Sequence, residues 1–466
     1  MSDKRDKNDL RHLHPNAVTR RQLLGMGIGT ATAYLMPLGL TDLLWGRQAF
    51  GANCSSGSST SWVPFMLFDC VGGAALSGNW VVGKQGGSQD YLASYDQLGI
   101  PNSPQSGGKL DTEFGVPMHQ DYSKILAGIL ANASAAARAN LRMATICNQS
   151  QDDSTGNLLS PVVMITRAGM KGAFFDTGLG TNNSASGGNS SGPVEFGPAK
   201  PLAIQTSADV IGALGYGPAL DRLPVPQKDA LARSISRLSA AHAQRLSGLT
   251  LGDQLQALSA CGYQKNIDFA QPLKGIDPAQ DANATAVYGL SASSTPADTQ
   301  APAIVYNVLK GNCGPGVLTI AGCDYHDGTQ TTGDTKDLEI GQQIGRAVEL
   351  AHRMNTPFFF AVVTDGGLYS DPGTRHWRGD SGIRGLAVMG YFKPGGPPEQ
   401  RRTQLGAFTD GQGVDRSTYV GSDPKRVAFA IFANYLSING QLGLFSQQVS
   451  TSDFATEQID AHLVFG

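Results

Sequence analysis

The chain has 466 residues, 41% of them hydrophobic and 16% charged, which is enough apolar content to bury a full core and excludes a disordered polymer or a small disulfide-stapled domain. Its 35 basic and 38 acidic side chains give a net charge of −3, so there is no electrostatic reason to expect nucleic acid as a partner. The length suits one main domain with insertions.

Residues 1–18 are polar. Thr19, Arg20, Arg21, Gln22, Leu23 and Leu24 follow, and then an apolar, Gly- and Ala-rich stretch. A charged leader, an arginine pair and a moderately apolar segment form the layout of a twin-arginine export signal. Ala49 and Gly51 satisfy the small-residue rule for cleavage. Residues 1–51 are therefore read as a signal peptide, 52–61 as a Ser/Gly linker, and 62–466 as an α/β domain with an inserted region at about 170–305. This reading implies the twin-arginine translocase as an export partner and a periplasmic or secreted protein. It also implies no transmembrane span after cleavage, because no later segment approaches ~20 consecutive apolar residues. Cys54, Cys70, Cys147, Cys261, Cys313 and Cys323 all follow the cleavage point and would meet an oxidising space, where disulfides persist. Their spacing selects no pairing and contains no CxxC.

Residues 63–68 (VPFMLF) read as a buried strand of a parallel sheet, ending at Asp69. Residues 121–141 carry apolar residues at helical spacing, and a strand is expected over 143–147. Residues 176–199, rich in Gly, Ser and Asn, read as a loop, and 226–260 as broken helices. Further on, a strand at 317–320, an amphipathic helix at 338–354 and a strand at 358–364 predict a parallel crossover. Another strand at 386–391 and a closing helix at 424–436 complete a doubly wound, mostly parallel sheet sandwiched by helices.

In such sheets ligands gather outside the carboxyl ends of the strands. Three predicted strands lead into Asp69, Asp324 and Asp365. His326 follows Asp324 by two positions, which in an extended segment places both on one side, and His376 lies in a Gly/Arg-rich loop. Each Asp also suits a turn or a helix N-cap. Together, the oxygen and nitrogen donors suit zinc or a similar divalent ion. Arg375 and Arg378 flank His376 and are candidates for binding an anionic substrate. The chain contains no GxxxxGKS, no GxGxxG after a strand and no HExxH, so no nucleotide cofactor is expected.

The leader, the Gly72–Gly73 pair after the first strand, GCDYH (322–326), VVTDGG (362–367) and RHW (375–377) resemble a family of exported bacterial proteins that is similar in fold to the alkaline phosphatase and sulfatase superfamily. The resemblance implies metal-assisted hydrolysis of phosphate or sulfate esters. It matches Asp69, Asp324, His326, Asp365 and His376 to metal ligands, and Ser154, its neighbour Thr155 or Ser160 to the nucleophile. Gly366 stands where an active two-metal enzyme carries His, so one divalent ion, zinc, manganese or calcium, is the most that the resemblance supports. No Cys-x-Pro-x-Arg motif is present, which argues against a formylglycine sulfatase. The alternative is a pseudoenzyme that keeps the fold as an exported binding or assembly factor.

Overall fold

The computed structural model describes residues 62–101, 109–149, 160–175, 177–181, 201–213, 275–364, 366–380 and 382–466, with isolated helical positions at 226, 227, 230, 233, 234 and 237. The chain divides into two compact units, Met1–Ser58 with Gly212–Leu273, and Ser59–Ile211 with Lys274–Gly466. The first includes the predicted leader and all of 226–260 and lies almost wholly outside the described residues; the second holds every described strand.

The main elements of the second unit are, in chain order, β1 (Phe65–Cys70), β2 (Leu110–Asp111), β3 (Met118–His119), α1 (Lys124–Asn132), α2 (Ala135–Arg138), β4 (Leu141–Cys147), α3 (Pro161–Ala168), β5 (Leu179–Gly180), β6 (Leu202–Ala203), α4 (Pro296–Leu309), β7 (Gly316–Ile320), α5 (Gln330–Arg353), β8 (Phe358–Thr364), β9 (Leu368–Ser370), β10 (Trp377–Asp380), β11 (Leu386–Phe392), β12 (Gln404–Leu405) and α6 (Arg426–Ile438). Eight strands form one mixed, mostly parallel sheet in the order β12-β4-β11-β8-β1-β7-β5-β6, and helices pack against it. β11 runs antiparallel to both its neighbours, β4 and β8. The other pairs are parallel.

Every residue of β1 (FMLFDC) and of β8 (FFFAVVT) is buried, which is why these strands read as continuous apolar runs rather than as alternation. Phe65 and Leu67 join Val162 and Ile165 of α3 and Phe429, Phe432 and Leu436 of α6 in one core. Met66 points the other way by the strand's two-residue period, and a side chain on its partner Gly316 would run into Met66, Ile304 and Val308.

Several boundaries differ from the periodicity for local reasons. The single helix expected over 121–141 is two, because Ser123 and Ser134 each accept a backbone N–H, from Leu126 and Ala137, and so begin a new helix. α5 starts about two turns before the predicted 338. Thr329 caps it, and its first turns bury only Gly333 and Asp337, so they carry no apolar signal. β11 is antiparallel because the chain between it and β8 forms the β9–β10 hairpin rather than a crossover helix. Of the segment expected as a loop, 177–181 is described and contains β5, which pairs with β7. Within the region read as an insertion, β5 and β6 are strands of the main sheet.

Candidate functional site at the carboxyl edge of the sheet

β7, β1 and β8 are neighbours and parallel, so their carboxyl ends open onto one edge. Asp69 lies inside β1, opposite Thr319 and Val363, and is completely buried. By alternation it shares the face of Phe65 and Leu67, the one covered by α3. Ser160 is also buried and is the N-cap residue of α3, with Pro161 at the first helical position.

Beyond β1 the chain turns through Gly72 (φ 102°) and Gly73 (φ 100°), a region that side-chain-bearing residues rarely enter. Gly72 has a second reason to be glycine. A Cβ there would collide with the Cβ of Asp324. The two loops are tied by backbone bonds from Val71 N–H to Ile320 O and from Cys323 N–H to Val71 O, both 3.2 Å. Ala74 N–H donates to Thr364 Oγ1 at 2.7 Å, which draws in the end of β8.

As the i, i+2 spacing implies, Asp324 and His326 meet, with Oδ1 to Nε2 at 2.8 Å and both side chains about half exposed. Tyr325 between them turns inward and is fully buried. Its hydroxyl donates to Asp337 Oδ1 at 2.7 Å and accepts the Ala75 N–H at 2.6 Å. Asn79 Nδ2 donates to the other oxygen of Asp337 at 2.7 Å. Burial pushes the Asp337 carboxyl up to about 6, and the Arg375 guanidinium, followed by the hydrogen bonds from Asn79 and Tyr325, resists the rise.

Arg375, read from the sequence as an anion contact, is 2% exposed and is taken up by this network. It reaches Asp334 at 3.1 Å and Asp337 at 3.5 Å. It also donates to the carbonyls of Gly78 and Gly99 at 3.2 and 2.8 Å, and it stacks over Trp377. Its Nε and Nη1 donors are taken up inside the fold, and the guanidinium lies in the interior rather than on the surface. Arg378 is instead half exposed and paired with Asp371 at 2.6 Å. His376, between buried Arg375 and buried Trp377, is exposed.

Asp365, Ser154 and Thr155 lie outside the described residues. Among the described residues no three His, Cys, Asp or Glu side chains are grouped so as to hold a metal ion. Asp324 and His326 form a pair, Asp69 lies inside the sheet and His376 lies on the surface. Periodicity missed the Asn79–Tyr325–Asp337–Arg375 network, because a polar residue on the inner face of a helix looks like a break in its apolar stripe. The one available signal was Asp337 three and seven positions before Ile340 and Ile344. Comparison with protein-family models, with curated proteins and with solved structures finds no match to this chain.

Proposed function

We propose that the chain is an exported protein with a doubly wound, alkaline-phosphatase-like domain that binds one divalent ion and hydrolyses phosphate or sulfate esters. The observation that supports this reading is the shared edge: β7, β1 and β8 are parallel neighbours, and Asp69, the Asp324–His326 pair and the position after Thr364 all belong to their carboxyl ends. That edge is where open α/β sheets bind ligands. Asp69, Asp324, His326, Asp365 and His376 offer the oxygen and imidazole donors that suit zinc, manganese or calcium. When bound, the ion would acidify an attacking hydroxyl, from Ser154 or Ser160, and neutralise charge on the ester oxygens. Ser160 stands at the N-terminus of α3, where backbone N–H groups favour an anion. The anion contact falls to Arg378, since Arg375 serves the fold.

A second reading, a pseudoenzyme acting as an exported binding or assembly factor, is favoured by the absence of any three-ligand group among the described residues and by Gly366 in place of His. Elemental analysis of the mature protein, with Asp324→Ala alongside, separates the two. The hydrolase reading expects about one ion per chain, lost in the variant together with phosphate- or sulfate-ester turnover. A protein without stoichiometric metal, or with metal and no turnover across an ester panel, leaves the pseudoenzyme.

A further inference from the structure

Four cysteines lie among the described residues, all of them buried as free thiols: Cys70, Cys147, Cys313 and Cys323. Two of these are neighbours across the carboxyl edge. Cys70 is the last residue of β1 and stands in register with Ile320, the last residue of β7. The chain leaving β7 then folds back, so that Cys323 N–H bonds to Val71 O at 3.2 Å and the Cys323 thiol approaches Ile320 O at 3.3 Å. This brings Cys323 beside Cys70, whose thiol is pushed well above its ordinary range by the neighbouring Cys323 thiol and then by burial. They lie on the face of β1 opposite Asp69, apart from the donors proposed for the metal.

We infer that Cys70 and Cys323 are a convertible dithiol whose disulfide pins the loop bearing Asp324 and His326 to the end of β1. In the exchange, one thiolate attacks a glutathione-type disulfide and releases one glutathione thiol, leaving a mixed disulfide. The second thiolate then displaces the other glutathione. Both cysteine protons are lost, one S–S bond forms, and the two electrons reduce the oxidant to two thiols. Since both sulfurs are buried, the reaction runs through opening of the 321–328 loop. Closing a loop of this length in sequence would restrict the unfolded chain strongly, so oxidation is expected to stabilise the fold as well as the loop.

The test uses the full chain, reduced, freed of reductant, and incubated with oxidised glutathione both with and without sub-denaturing urea. Digestion under alkylating, non-reducing conditions is expected to yield a linked Cys70–Cys323 peptide pair, with loss of two of the chain's six thiols. The link should be absent from Cys70→Ser and equally from Cys323→Ser. Proteolysis within 321–328 should slow on oxidation and recover with dithiothreitol. Recovery of both cysteines as alkylated thiols with and without urea overturns the inference. So does linkage of either one to Cys54, Cys147, Cys261 or Cys313.

Discussion

Arg375 and Arg378 stand three positions apart and have the same chemistry, yet burial separates their energetics. Arg375 lies among Asp334, Asp337 and two backbone carbonyls with 2% exposure. Removing it strands the buried Asp337 carboxylate, so Arg375→Ala is expected to lower the unfolding free energy by about 3–5 kcal/mol. Arg378→Ala, which breaks only a surface pair, should leave the denaturation midpoint unchanged. Urea unfolding of the two variants side by side checks the contrast. Asp337 also carries a pH signature. Its folded carboxyl titrates at about 6, above the ~3.9 of an unfolded Asp, so the folded state holds this proton more tightly. The resulting stabilisation is complete below the unfolded value and is lost as pH rises through about 6. Asp337→Asn is expected to flatten that component of stability between about pH 4 and pH 6, and a series of unfolding curves across this range measures it. Asp298, held low by its hydrogen bonds from Thr295, acts in the opposite direction and only at more acid pH. The outward pair Asp324–His326 was legible because extended chain alternates and both residues are polar. The inward partners of Tyr325 were not, because they lie far apart in sequence and nothing local marks a polar side chain as buried.

The α1–α5 crossing depends on glycine. A Cβ on Gly128 would press against the Leu338 carbonyl at 2.5 Å, and one on Gly341 would collide with the backbone of Ile125. Gly341→Ala is expected to cost about 1–3 kcal/mol through overpacking. The ~1 kcal/mol by which Ala normally exceeds Gly in a helix does not offset this, because the obstructing atoms are backbone. The sign of the change in urea stability decides the matter, a gain meaning that the helices separate freely. The apolar strands β1, β7 and β8 and helix α6 were readable because each buries nearly its full length. The direction of β11 was less evident from its own residues. It follows from the hairpin that precedes it, whose strands β9 and β10 are only three and four residues long.

The proposed export signal and the described fold draw on different parts of the chain. The twin-arginine reading rests on Arg20, Arg21 and the apolar segment after them. Replacing the pair as Arg20→Lys with Arg21→Lys is expected to leave the uncleaved protein in the cytoplasm, and fractionation with immunodetection checks it. Unchanged export of the double variant would remove the leader reading. Among the described residues no helix is long and apolar enough to cross a membrane. By itself the sequence determined the α/β class, the three central strands and the residues that follow them, because continuous apolar runs and helical periodicity are local patterns set by burial. Only the tertiary structure decided that β11 reverses, that β5 and β6 extend the sheet, that Arg375 is internal and that Cys323 folds back onto the end of β1. Each of these depends on which distant segments share an edge or a face, and that is settled when the whole core packs.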